Sequence, residues 1–104
     1  MALIFALFAH PVGAQESSLT PARQKELIYL LRQDCGSCHG LTLEGGLGPT
    51  LLPKDLADKS EEWLREVILN GIPETAMPPW RSLLAEPEVD WLVKMMKRGV
   101  PDAK

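Results

Sequence analysis

Asp34-Cys35-Gly36-Ser37-Cys38-His39-Gly40 is the stretch on which the reading of this 104-residue chain turns. Two cysteines separated by two residues and followed at once by histidine form the attachment signature of a c-type haem. The spacing has a physical reason. Two thiols one helical turn apart can each form a thioether with the vinyl groups on neighbouring pyrrole rings, and the next residue then lies beneath the iron. Cys35 and Cys38 are therefore the expected covalent anchors of one haem c, and His39 its expected axial ligand. Gly36 and Ser37 are small, which suits a segment pressed against the edge of a macrocycle.

Two other uses of paired cysteines compete. A dithiol of the thioredoxin type follows a strand and opens a helix in a βαβ context. Here the motif follows a helical pattern and no strand-rich run exists, which argues against the dithiol and leaves it the lesser alternative to haem. A structural zinc site wants four protein ligands. The whole chain offers only Cys35, Cys38, His39 and His10, and His10 falls in a segment expected to be removed.

That segment is Met1 to Ala14. Its apolar run to Ala9 is far short of the ~20 residues that span a bilayer, but fits the apolar region of a secretory signal. Val12-x-Ala14 supplies small residues for cleavage, although the usual positive charge at the start is missing; an apolar first helix is the competing reading. Export suits haem attachment, which is done outside the bacterial cytoplasm, so a periplasmic location is expected. Residues 15–104 then form one domain of about 90 residues, too small to bury a generous core without help. A large flat ligand held by two covalent bonds is such help. The net charge of −3, with 24% charged residues, contains no basic tail for nucleic acid. No membrane attachment is expected after cleavage.

Working outward from the motif, Thr20-Pro21 reads as a helix start, with a hydroxyl cap and proline in the first turn. The helix runs from about Pro21 to Gln33 and delivers the motif at its C-terminal end. Leu27, Ile28, Leu30 and Leu31 form its apolar face, and Arg23, Lys25, Glu26 and Arg32 are expected to face water. Gly40 to Pro53 is glycine- and proline-rich loop. Ser60 with Glu61 and Glu62 starts a second helix, carrying Trp63, Leu64, Val67 and Ile68 at helical spacing and ending at Asn70-Gly71. Ile72 to Arg81 is a proline-rich loop. Glu86 to Arg98 is the last helix, with Val89, Leu92, Val93 and Met96 on one face. Ala85 offers no capping hydroxyl, so this helix start is expected to be weakly held. The fold class is all-α, with three main helices and long loops.

His39 fills one axial position of the iron. Once His10 is removed no second histidine remains, which leaves Met77, Met95 and Met96 as soft donors. Met95 and Met96 lie on an amphipathic helix where packing is the ordinary fate. Met77 sits in an extended loop, followed directly by prolines that can hold a thioether at a fixed height, and is the expected sixth ligand. Next to it, Trp80 and Arg81 can cover the haem edge and pair with a propionate, or Trp80 can simply fill a gap in the core. Trp63 and Trp91 are expected to pack. The acidic pairs at helix starts complement dipoles, and no nucleophile–base pair can be read, so the chain is expected to be an electron carrier and not an enzyme.

Cys35-Gly-Ser-Cys-His39, Gly48-Pro49-Thr50-Leu51 and Met77-Pro78 together resemble the small monohaem class I cytochrome c family, over nearly all of residues 15–104. The resemblance implies the fold of that family around one haem, with the Pro49 carbonyl accepting the other ring N–H of His39 and so orienting it. More narrowly, Leu19-Thr-Pro-Ala-Arg-Gln24, Leu30-Leu-Arg-Gln-Asp-Cys35 and Met77-Pro-Pro-Trp-Arg81 are similar to the cytochrome c55X proteins of denitrifying bacteria. This implies redox partners in denitrification, namely cytochrome cd1 nitrite reductase, haem d1 dehydrogenase, or both; the oligomeric state is open, with a monomer favoured. The alternative function is a haem enzyme or gas sensor with an open or displaceable sixth position.

Overall fold

The computed structural model describes residues 19–101. The signal-like segment Met1 to Ala14 and its cleavage site lie outside the described residues. The elements in chain order are α1 (Pro21–Leu30), a single π-helical turn (Leu31–Cys35), α2 (Gly36–His39), α3 (Pro53–Leu56), α4 (Glu61–Asn70) and α5 (Glu86–Arg98). The architecture is all-helical: three longer helices, two short ones and long loops, with no strand among the described residues. None of these helices is long and apolar enough to cross a membrane.

Local chemistry sets the helix ends. Thr20 accepts the Arg23 N–H at 3.1 Å with Pro21 in the first turn, and Ser60 accepts the Trp63 N–H at 3.0 Å. Helix α1 does not stop at Gln33. Its ladder widens at Leu31, where the Gly36 N–H bonds the Leu31 carbonyl five residues back, and runs on through the π turn into α2. The haem motif is thus the end of one continuous helical stretch. Such a bulge turns the faces of the helix relative to a regular 3.6-residue repeat. Arg32, expected in water, is consequently only 8% exposed.

Helix α5 is the packing centre, with α4 along it and α1 and α3 against it. Leu27 and Leu31 meet Leu64, Leu69, Val89, Leu92, Val93 and Met96 in one buried cluster. Each such side chain contributes about 1.5–3 kcal/mol relative to exposure. Met96 is 3% exposed and so belongs to this core. The start of α5 is better held than Ala85 implies. Glu88 accepts the Ala85 N–H at 3.0 Å and also bonds Arg23 of α1, so one carboxylate closes the helix end and ties it to α1. Arg65 on α4 meets Asp90 on α5 at 3.0 Å. Trp63 departs from the packing expectation: it is 49% exposed, with Lys59 Nζ 5.7 Å from its ring centre.

Candidate haem site

The site begins with the turn itself. Cys35 and Cys38 are half-buried and not bonded to each other. Burial, and secondarily the neighbouring Asp34 charge, pushes the Cys35 thiol up to about 11, so it stays protonated at neutral pH. The Ser37 hydroxyl donates to the Asp34 carbonyl at 2.7 Å, which closes the turn between the cysteines.

The loop after the turn folds back over His39. Its backbone bonds return to the motif, from Gly45 N–H to the His39 carbonyl and from Gly48 N–H to the Cys38 carbonyl, both at 2.8 Å. The imidazole is held between them, with Nδ1 2.7 Å from the Pro49 carbonyl. That carbonyl can only accept, so Nδ1 is the donor, and Nε2 is the ring nitrogen left to face a metal. Gly48 is required by close approach, because a Cβ there would lie 2.9 Å from ring atoms Cε1 and Nδ1. Leu43 anchors the loop from inside. It is 3% exposed and adopts φ 64°, a strain of order 1 kcal/mol that its burial offsets. Its carbonyl accepts both the Leu51 N–H at 2.8 Å and the Thr50 hydroxyl at 3.2 Å.

A second group of the expected residues lies on the segment after α4. The Met77 carbonyl accepts the Ile72 N–H at 3.2 Å, while Trp80 and Arg81 donate their N–H groups to the Ile68 and Leu69 carbonyls at 2.9 and 3.1 Å. The loop therefore closes on the C-terminal end of α4, past Gly71. At φ 70°, with a hypothetical Cβ 2.7 Å from the Met77 carbonyl oxygen, that position takes glycine alone. Met77 itself is half-buried. Trp80 packs against the core cluster. Arg81 is engaged with the Asn70 side chain at 3.1 Å and with Glu86 at 3.2 Å, partners that no local pattern in the sequence signals.

The donor chemistry fits a haem. Two thiols one turn apart are followed by an imidazole whose Nδ1 is already bonded, leaving Nε2 as the ring nitrogen available to a metal. Among the described residues no group of three or more His, Cys, Asp or Glu side chains gathers as a metal cage. Cys35, Cys38 and His39 thus form the motif of covalent c-type haem attachment, and the fold with this motif at the end of its first helical stretch defines a class I c-type cytochrome.

Comparison with known proteins narrows the class. Residues 22–96 match the family described as cytochrome c oxidase, cbb3-type, subunit III. The chain is 48% identical over 93 residues to cytochrome c55X of Pseudomonas aeruginosa, covering 88% of this chain and 78% of that one. With cytochrome c55X of Paracoccus denitrificans the identity is 55% over 71 residues, or 68% of this chain and 69% of the relative. The chain belongs to the cytochrome c55X family, small electron carriers with one c-type haem. Among solved structures, the c-type cytochrome NirC superposes with a TM-score of 0.75 at 49% identity, over 76% of this chain and 93% of that one. Part of a larger protein is also similar. The dihydro-heme d1 dehydrogenase of Pseudomonas aeruginosa is 42% identical over 86% of this chain but only 18% of its own length. The structure of a dehydrogenase of this kind, NirN, gives a TM-score of 0.65 at 40% identity, over 71% of this chain and 16% of that one.

Proposed function

We propose that this protein is a periplasmic electron carrier in which His39 and Met77 hold the haem iron from opposite faces, and that it exchanges electrons with cytochrome cd1 nitrite reductase or with the enzymes that complete haem d1. The observation that carries the reading is the 2.7 Å contact between His39 Nδ1 and the Pro49 carbonyl, which prepares one ring nitrogen and one orientation for the iron. When bound, the haem supplies a one-electron couple. The chain's task is to keep the ligands still in both oxidation states. Cys35 and Cys38 tether, Pro49 fixes the imidazole, and the loop closed on α4 sets the height of Met77. A thioether opposite the histidine favours the reduced state and raises the potential. Trp80 ties this loop to the core by packing against it, and Arg81, bridged to Asn70 and Glu86, is the loop's cation for a propionate.

The denitrification assignment is supported by the similarity to cytochrome c55X and to a segment of a dihydro-heme d1 dehydrogenase. Docking on either partner must be brief, with less than about 1,200 Å² of total buried surface. Leu41 and Leu47, 65% and 96% exposed, give the loop beside His39 an apolar outer surface; Leu43, being buried, has no part in it. Glu44 and Arg81 are expected at the rim of this surface, so electron transfer should depend only weakly on salt. Stopped-flow mixing of the reduced protein with oxidised cytochrome cd1, and with the haem d1 dehydrogenase, at low and high ionic strength tests the assignment. Rapid transfer to at least one, changing less than about threefold between the two salts, is expected. Transfer to neither would remove the denitrification role.

A further inference from the structure

Pro49 grips the His39 imidazole, yet Pro49 is itself exposed and proline has no N–H to tie it down. The gripping carbonyl must therefore be held through its neighbours. On one side, Gly48 donates its N–H to the Cys38 carbonyl at 2.8 Å. On the other stands Thr50, half-buried, whose nitrogen belongs to the same planar peptide as the Pro49 carbonyl. A hydroxyl has one proton to give and lone pairs to offer. Thr50 uses both: it accepts the Leu52 N–H at 3.2 Å and shares its proton between the Leu43 carbonyl at 3.2 Å and the Asp55 carboxylate at 3.1 Å. The Leu43 carbonyl already has the Leu51 N–H at 2.8 Å, whereas a carboxylate draws a hydroxyl proton by a charge-assisted bond. Asp55 is therefore the stronger partner.

Asp55 belongs to the short helix α3, which packs on α5, and the next residue, Leu56, is 2% exposed in the core cluster. Among the described residues Asp55 enters no ion pair. We infer that Thr50 is a positioning residue for the iron's histidine ligand, fastening the Pro49 carbonyl to α3 through Asp55 and so setting how firmly the His39 Nδ1–H is held. The inference rests on His39 as an axial ligand, and on nothing about Met77 or the redox partner. A firmly bonded Nδ1–H makes the imidazole a stronger donor to iron and favours the oxidised state. Loosening Thr50 should therefore raise the reduction potential, the opposite sign to loss of Met77. A packing role alone would change stability and leave the potential where it is.

The test compares the natural holoprotein, labelled with ¹⁵N and ferrous, with Thr50→Val, Thr50→Ser and Asp55→Ala, reading solvent exchange of the His39 Nδ1–H by NMR and the potential by redox titration. Thr50→Val, which removes only the hydroxyl's hydrogen bonding, should speed exchange about tenfold and shift the Fe(III)/Fe(II) balance about threefold toward Fe(II). Thr50→Ser, which keeps the hydroxyl, should stay within about twofold of the natural protein in both. Asp55→Ala should move both readouts in the direction of Thr50→Val, and the double variant should go no further than the larger single one, because the two side chains act as a unit. Met96→Ala, destabilised in the core, should alter neither. Unchanged exchange and potential in Thr50→Val, failure of serine to preserve them, additive effects in the double variant, or an equal effect in Met96→Ala overturns the proposal with His39 still the ligand. His39 ring protons that lack the large ring-current shift of an axial imidazole in the natural protein would contradict the ligation itself, and the proposal would fall with it.

Discussion

The loop from Gly40 to Pro49 and the loop from Ile72 to Arg81 hold their expected ligands in different ways. The first wraps the motif that precedes it: its backbone returns to the Cys38 and His39 carbonyls, and Pro49 grips the imidazole itself. The second is fastened to its neighbour: Ile68 and Leu69 of α4 take the Trp80 and Arg81 N–H groups, while the Met77 hydrogen bonds involve only backbone atoms of that residue. One ligand is held by its side chain and the other by its main chain. Changes on the histidine side should therefore cost folding, and changes on the methionine side should cost electronic tuning.

The largest effect tests the anchor of both. Replacing Cys35 and Cys38 together by alanine should leave any haem extractable by acidified organic solvent and most of the protein unfolded by circular dichroism, because in the proposed reading the tethered haem supplies the centre around which these short helices pack. A native-like double variant without haem would contradict this. Next comes the histidine side alone. Gly48→Ala puts a methyl 2.9 Å from the imidazole, and thermal or urea unfolding should report a loss of about 1–3 kcal/mol. Met96→Ala, removing a side chain only 3% exposed, should cost about 2–5 kcal/mol while leaving the visible spectrum alone. Met77→Ala should do the reverse, lowering the reduction potential measured by redox titration with a smaller change in stability.

The smallest effect concerns the tie between α1 and α5. Arg23 holds the Glu88 carboxyl below the usual carboxylate range. A carboxylate whose folded value is depressed contributes stability that is fully present above its unfolded value and is lost as pH falls through the folded one. Glu88→Gln should thus reduce stability at neutral pH by at most about 1 kcal/mol, with the difference vanishing in acid. Denaturation at pH 7 and at progressively lower pH measures it.

What could be read in advance follows the range of the interactions. The motif, the Ser60 cap, the end at Gly71 and the apolar stripes of α4 and α5 are set by residues within a few positions of each other, so the sequence displays them. The Pro49–His39 contact was implied by family resemblance, and the 2.7 Å distance now gives it geometry. Arg32 was misplaced because a regular helical period carries it to the solvent side, whereas the π turn redirects it toward the Val100 and Pro101 carbonyls at the other end of the chain. Glu88 reaches Arg23 across 65 positions, and no local rule for Ala85 could foresee that help. The short α3 falls outside the expected helices, only its Pro53 lying in the expected Gly40 to Pro53 loop, although proline at a first helical position is a start signal. Trp63 shows the limit of periodicity, which identifies a face without saying whether a neighbour covers it.

Proton NMR of the reduced holoprotein, with methionine methyls assigned by substituting Met77, Met95 and Met96 in turn, tests the ligand assignment most directly. A methyl bonded through sulfur to low-spin ferrous iron lies over the macrocycle and is shifted far upfield by its ring current. The account predicts one such methyl, lost in Met77→Ala and retained in the Met95 and Met96 variants. An upfield methyl that disappears with Met95 or Met96 instead, or its absence from the unmodified protein, would contradict it.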